Sequence, residues 1–455
     1  MFVFAPSRRV SLSWLLLATS WLLATTIAQA AEPIAAQRTA FKQAYAAAQQ
    51  GGDSWQGLAA GLHGYPLYPY LQAAALEHDI QQVDRATVES YLKQYPDWIP
   101  AADLRRAFLL ELARRQDWNN FLALYQPDLG DAFSCNALQA RLASGSTLNF
   151  DKDLAALWAK PNLPDACDPV LTAAHDQGLL TDTRLWMRID RAADAGQPGT
   201  IANMANWLPP DDRTAAQRLA LALRDPAAAL AAAATWPDTP RHRQAATLAL
   251  TRLARRQSDS ADSTWQTLQS HFRFSEAQRS QILYALALFH ATDFDDNALA
   301  RLIALPAAAQ TDASREWRVR VALARQNWTA VLTAIDAMTA SQLQDGEWQY
   351  FRARALVALG RSDEAQRQFS AEADKSTFFG FLAADKLDQP YAICPLTVAN
   401  DPQREQAVLA MPGVLRAFEL YAVELPKLAR REWTRALQDA DQATLQVASD
   451  LANRR

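Results

Sequence analysis

The run R-E-W-R-V-R-V-A-L-A-R-Q-N-W-T-A-V-L-T-A-I, Arg315 to Ile335, and the run E-W-Q-Y-F-R-A-R-A-L-V-A-L-G-R-S-D-E-A-Q-R-Q-F, Glu347 to Phe369, decide the fold of this chain. In the first, Val319 and Leu323 precede a polar break, and Val331 and Ile335 follow it. In the second, Trp348, Phe351, Ala355 and Leu359 come before Gly360, and Ala365 and Phe369 come after. Spacings of three and four place each set on one face of a helix. Each run therefore predicts two helices joined tightly as a hairpin.

The second hairpin carries part of the tetratricopeptide pattern: small Ala353, a turn at Gly360, then Ala365 and Phe369 on one face of the returning helix. Small residues let two helix backbones approach, and Phe369 closes the gap between them. One hairpin cannot bury its apolar face alone, so neighbours must stack on both sides. The predicted fold is all-α: a superhelical solenoid of short helical hairpins, curved or ring-shaped, followed by a small helical linker domain.

Composition agrees. Glycine is only 14 of 455 residues, well under the usual share of about 7%, and no run alternates as a strand would. The chain is longer than one compact core sustains, yet no Gly/Ser-rich linker divides it; a solenoid, whose units need only their neighbours, resolves that tension. The charge of -4 gives no general attraction to nucleic acid or anionic lipid.

At the start, Arg8 and Arg9 precede an apolar run to Ile27 and the small-residue site Ala28-Gln29-Ala30, which predicts a secretory signal peptide over residues 1–30. An uncleaved anchor is the alternative, since the run is nearly long enough to span a bilayer. Export permits disulfides, and Cys135 with Cys167 is the nearest pair among three cysteines; buried free thiols are the other possibility. His63, His78, His175, His242, His271 and His290 show no i, i+3 or i, i+4 pairing, so no metal site is expected. No Gly-rich phosphate motif points to a nucleotide, and no cofactor is expected.

Along the chain, residues 33–50, 85–94, 101–116, 118–125 and 227–234 read as helices. Tyr65, Tyr68 and Tyr70 alternate with Pro66 and Pro69; tyrosines beside a groove can stack on sugars, whereas at helical spacing they pack. The corner L-A-R-R-Q-D-W at Leu112 to Trp118 returns as L-A-R-Q-N-W at Leu323 to Trp328 and as L-A-R-R-E-W at Leu428 to Trp433. Each reads as a helix ending in Arg, a short turn, and a Trp opening the next helix, with the arginines either repeating a packing solution or lining a concave face. Gln389 to Arg404, holding Pro390, Pro395 and Pro402, is the main interruption. Beyond it, 414–421, 429–440 and 443–455 read as helices, the last exposing Leu445 and Leu451 where another element should pack.

Several segments resemble the soluble lytic murein transglycosylases of Gram-negative bacteria. They are Tyr65 to Leu71, Glu111 to Trp118, Cys135 with the P-D-A-C-D around Cys167, Asp345 to Arg361, Phe378 to Leu387, and Glu419 to Trp433, in that family's order. The resemblance implies a periplasmic enzyme that cleaves the β-1,4 bond between N-acetylmuramic acid and N-acetylglucosamine and leaves a 1,6-anhydro end. It implies a superhelical domain over 31–389, a linker domain over 390–455, and a Cys135–Cys167 disulfide. Partners would be peptidoglycan glycan strands and a catalytic domain, in cis or in trans.

The family's catalytic signatures are not found. Its acid lies in E-S-x-W/F-x-P, whereas Glu89-Ser90 is followed by Tyr91-Leu92-Lys93, and Met411-Pro412-Gly413 lacks the Gln and Ile expected before it. No catalytic residue can be assigned, and no substrate-binding residue either. The expectation is the non-catalytic part of such an enzyme, holding glycan and docking the catalytic domain; a periplasmic tetratricopeptide-like scaffold for protein partners is the alternative.

Overall fold

The computed structural model describes residues 34–393 and 401–454; the predicted signal segment and Cys394 lie outside them. Among the described residues every regular element is helical. They form two compact units, one combining 34–147 with 401–454 and the other running from Leu148 to 393.

The second unit is the predicted stack of hairpins. From Pro210–Arg224 through Pro240–Arg256 and Glu276–Thr292 to Asp312–Ala324, each long helix packs on the next long helix, with a shorter helix between. The organising stretch folds as read: Val319, Val331, Ile335, Trp348, Ala353, Ala365 and Phe369 share one core. Burying an aromatic such as Phe369 stabilises the hairpin by about 1.5–3 kcal/mol. Leu359 does not join that core. It sits at the helix C-cap and remains 40% exposed.

The repeated corner has a specific backbone form. Gln116 (φ 58°), Gln326 (φ 52°) and Gly360 (φ 77°) take the left-handed conformation that ends a helix. The next amide then reaches back five residues, from Asp117 to the Leu112 carbonyl at 2.9 Å and from Asn327 to Ala322 at 3.0 Å. The Asp117 and Asn327 side chains accept from the amides of Asn120 and Ala330, capping the helices that Trp118 and Trp328 open. Arg115 donates to the Ile80 and Gln81 carbonyls, and Arg325 to those of Phe294 and Asp295. Both arginines thus fasten a corner to the preceding hairpin.

The third copy is not a corner. Leu428 to Trp433 lies inside the continuous helix Pro426–Ala436. Here a single Glu432 stands where the others have Gln followed by Asp or Asn, so neither a left-handed residue nor a capping side chain is present to stop the helix. Prolines, by contrast, open helices: Pro210, Pro226, Pro240, Pro402, Pro412 and Pro426 each occupy a first turn, where a missing N–H costs nothing. Helix therefore resumes at Pro402, inside the stretch expected to be an interruption.

In the first unit, helices from both ends of the chain share a core. Phe41, Leu62, Tyr65, Leu67 and Tyr70 pack with Leu420 and Val423. A smaller core gathers Val408, Val414, Leu437, Ala448 and Leu451. Leu451 is thereby covered, at 3% exposure, contrary to the expectation from its sequence position, whereas Leu445 remains 44% exposed.

Candidate functional site

In the second unit, the helix Glu276–Thr292 presents Ala277, Gln281, Tyr284 and Leu288 at spacings of three and four, forming one outward stripe. Two cavities meet along it, of about 600 Å³ and 530 Å³, and both are lined by Gln281 and Tyr284. The first is closed by Ala308, Ala309 and Thr311 from the following turn. The second is walled by Arg252, Arg255 and Arg256 at the end of the helix Pro240–Arg256. That end carries the negative pole of the helix, which favours cations there. None of the three arginines has a hydrogen bond or ion pair with another described residue, so their donors are open to a ligand.

The opposite side of Glu276–Thr292 is fixed in place. Ser275 and Gln278 form a reciprocal cap at its start. His290, 1% exposed, faces Asp262 with Nε2 at 2.9 Å and Asp295 with Nδ1. Arg301 meets the same Asp262 at 2.7 Å. Ligand atoms of Asp259, His290 and Asp295 lie within 4.8 Å of one another, which is close enough for a cation. Both imidazole nitrogens already face carboxylates, and the cluster reads as an anchor for the helix. Sequence spacing does not reveal this group, because its members are 31 and 5 residues apart rather than one helical turn.

The groove combines a partly exposed aromatic ring, an amide and guanidinium donors. A tyrosine face accepts the C–H face of a sugar, while Arg and Gln donate to hydroxyl, acetamido and carboxylate oxygens. Glu276 is the one carboxylate among its lining residues, without a second acid opposite for glycoside cleavage. Such a donor set can hold the oxygens of a ligand. Tyr284 lies in a stretch that carries no motif, and only the fold brings it beside the arginines.

The tyrosines singled out by sequence have a different role. Tyr65 and Tyr70 are 3% and 2% exposed and belong to the first unit's core. Their hydroxyls donate to the carboxylates of Glu419 (2.6 Å) and Glu432. Arg38 clamps Glu419 through two bonds at 2.8 and 2.7 Å, and Arg416 donates to Glu432 at 2.9 Å while lying 4.2 Å over the Trp98 ring. Arg431 pairs with Asp103 through two bonds at 2.6 Å. Tyr65 and Tyr70 therefore fasten the C-terminal helices to the N-terminal ones.

Glu89 is paired with Arg85 on one helix at 2.8 Å. Met411-Pro412-Gly413 starts the helix Pro412–Ala422, where a Cβ at Gly413 would lie 2.8 Å from that of Ala436. Cys135 and Cys167 are fully buried and each is disulfide-bonded. No helix among the described residues is long and apolar enough to cross a membrane.

Comparison with known proteins agrees with the architecture. Residues 407–455 match the family described as the soluble lytic murein transglycosylase L domain. The soluble lytic murein transglycosylase of Escherichia coli is 28% identical over 436 residues, covering 92% of this chain and 66% of the relative; that of Salmonella typhimurium is 28% identical over 384 residues, covering 82% and 58%. This chain thus spans 66% of the length of the first relative and 58% of the second. The crystal structure of the 70-kDa soluble lytic transglycosylase from E. coli superposes with a TM-score of 0.81 at 25% identity, covering 92% of this chain and 68% of that one. An inactive mutant of the lytic transglycosylase Slt from Pseudomonas aeruginosa gives 0.71 at 27%, covering 91% and 68%. Soluble lytic murein transglycosylases are the relatives of this chain.

Proposed function

We propose that this chain is the glycan-holding portion of a soluble lytic murein transglycosylase, working on peptidoglycan in the periplasm after loss of residues 1–30. In this reading residues 31–389 are the superhelical part and 390–455 a linker to which a catalytic domain docks, in cis or in trans. The reaction served is cleavage of the bond between N-acetylmuramic acid and N-acetylglucosamine with formation of a 1,6-anhydro end. The observation that carries the reading is the groove around Tyr284, whose three arginines have no partner within the described residues. The family relationship supports the choice of murein as the ligand.

A glycan strand laid along the Glu276–Thr292 helix would set a sugar face on Tyr284. Arg252, Arg255 and Arg256 would then reach its acetamido and lactyl oxygens, the latter carrying charge only where the stem peptide has been removed. Such contacts hold and orient a polymer without chemistry of their own. The test is co-sedimentation of residues 31–455 with intact sacculi, together with analysis of released muropeptides. The expected result is pelleting that falls at least fivefold in Tyr284→Ala and in the triple alanine variant at 252, 255 and 256, with no anhydro product. Anhydro products would place catalysis within the chain, and pelleting unchanged in both variants would refute the groove. Absence of pelleting would favour the scaffold for protein partners.

A further inference from the structure

A second pocket, away from that groove, carries an unbalanced charge. Arg318 in the helix Asp312–Ala324 is 8% exposed, and its one hydrogen bond is from a terminal nitrogen to the Leu302 carbonyl at 2.8 Å. Its Nε is buried without a partner, and no carboxylate of a described residue pairs with it. Burial, with Arg315 nearby, lowers its pKa from the usual arginine range. Arg188, the other arginine buried this deeply among the described residues, also has an unpartnered Nε, but it donates to the carbonyls of Leu157, Trp158 and Lys160 and lies 4.9 Å over the Trp158 ring. A buried guanidinium with so few acceptors is costly unless an anion completes its shell.

Arg318 opens on a cavity of about 400 Å³. The same cavity is lined by Asn327 and Thr329, the cap and first turn of the nine-residue helix Trp328–Asp336. Helix amides and the positive helix pole favour an anion there. The Asn327 carbonyl oxygen accepts from the Ala330 amide, which leaves the side-chain NH2 to donate outward. The remaining wall, with Leu299, Ile303, Ala330, Ala334 and Ala337, is apolar except for Thr333 and has room for a small side chain.

We propose that this pocket binds the terminal carboxylate of a peptide ending in a small apolar residue, with the carboxylate between Arg318 and the start of the Trp328–Asp336 helix and the side chain against Ile303 and Ala334. The proposal does not depend on the glycan-holding role. Two sources offer this chemistry, a D-configured stem peptide of the cell wall and the L-configured C-terminus of a protein, and chirality separates them.

The experiment is calorimetric titration of the whole chain with N-acetyl-D-alanyl-D-alanine, its L,L counterpart, and the C-terminal amide of each. At least one acid is expected to bind at least tenfold more tightly than its amide; preference for the D series assigns the pocket to wall peptides, preference for the L series to protein termini. Arg318→Met tests the residue directly but empties a buried position, so Thr329→Glu is the second variant. Its new carboxylate lies in a helix first turn, where it is tolerated, and occupies the anion's place. Thr329→Glu should abolish binding without lowering the melting temperature. Equal binding of acid and amide, binding unaffected by Thr329→Glu, or no heat up to about 10 mM acid, a ceiling corresponding to roughly 3 kcal/mol of affinity, would each overturn the proposal.

Discussion

Removal of the Glu432 carboxylate should unfasten the first unit. Glu432 is 1% exposed and accepts from the Tyr70 hydroxyl and from Arg416. Glu432→Ala leaves a phenol and a guanidinium facing each other in a dry core, and breaking a buried pair in this way costs about 3–5 kcal/mol. Tyr70→Phe removes one donor to a charged acceptor and leaves Arg416 paired, so its cost is about 1.5–3 kcal/mol. Glu432→Gln retains an acceptor for Tyr70 but not the charge opposite Arg416, and should fall between the two. The assay is urea unfolding followed by circular dichroism, with amide hydrogen exchange on the Tyr68–His78 and Pro412–Ala422 helices to locate the loss. Exchange should rise in both helices at once, because they share a core, and the two single losses should be less than additive in a double variant. A Glu432→Ala cost below about 1 kcal/mol, within the usual range for an exposed pair, would refute the view that this carboxylate fastens the unit.

Acid should weaken both units. Glu111 is held at about 2 by Arg114 and Arg115, Asp238 at about 2 by Arg273 and Arg243, and Glu419 below the usual carboxylate range by Arg38 and Tyr65. Folded-state values below the unfolded ones mean stability that is complete above about pH 4.5 and drains away as pH falls toward 2; melting temperatures across that window check it, and Glu111→Gln with Asp238→Asn should flatten the slope. At the repeated corner, Gln326→Gly should stabilise by up to about 1 kcal/mol through relief of the left-handed backbone, and Asn327→Ala should destabilise by about 1 kcal/mol through loss of its cap; opposite signs at adjacent residues in denaturant melts are the signature. Leu451→Ala should cost about 2–5 kcal/mol while Leu445→Ala changes stability by less than about 0.5 kcal/mol, a contrast that unfolding midpoints will show.

The helices and their hairpins were legible because the information is local. The stripe from Val319 to Phe369, the caps before Trp118 and Trp328, and the prolines at first turns are all written within a few residues of one another. The third corner misled because its letters match while the cap residue is missing, and a helix depends on the cap. The tyrosines were visible as packing residues, but their acceptors lie more than 350 residues away and carry no local mark. The groove is hidden for the same reason. Tyr284 and Arg255 occupy ordinary helical positions, and only the packing of Glu276–Thr292 against Pro240–Arg256 makes them neighbours.

The shared core of the first unit sets an order of events in synthesis. A polypeptide emerges from a ribosome or a translocase with its N-terminus first, so Phe41, Tyr65 and Tyr70 appear long before Leu420 and Val423, which complete their surroundings. Closing a loop of about 350 residues costs about 5 kcal/mol of chain entropy, a term offset only when the last helices arrive. Until then an apolar, half-made surface remains open, while the contacts within the second unit are all nearer in sequence. The early helices are therefore the part of the nascent chain with most need of a holding chaperone, and ribosome-stalled chains ending before Pro412 should be the ones that recruit it.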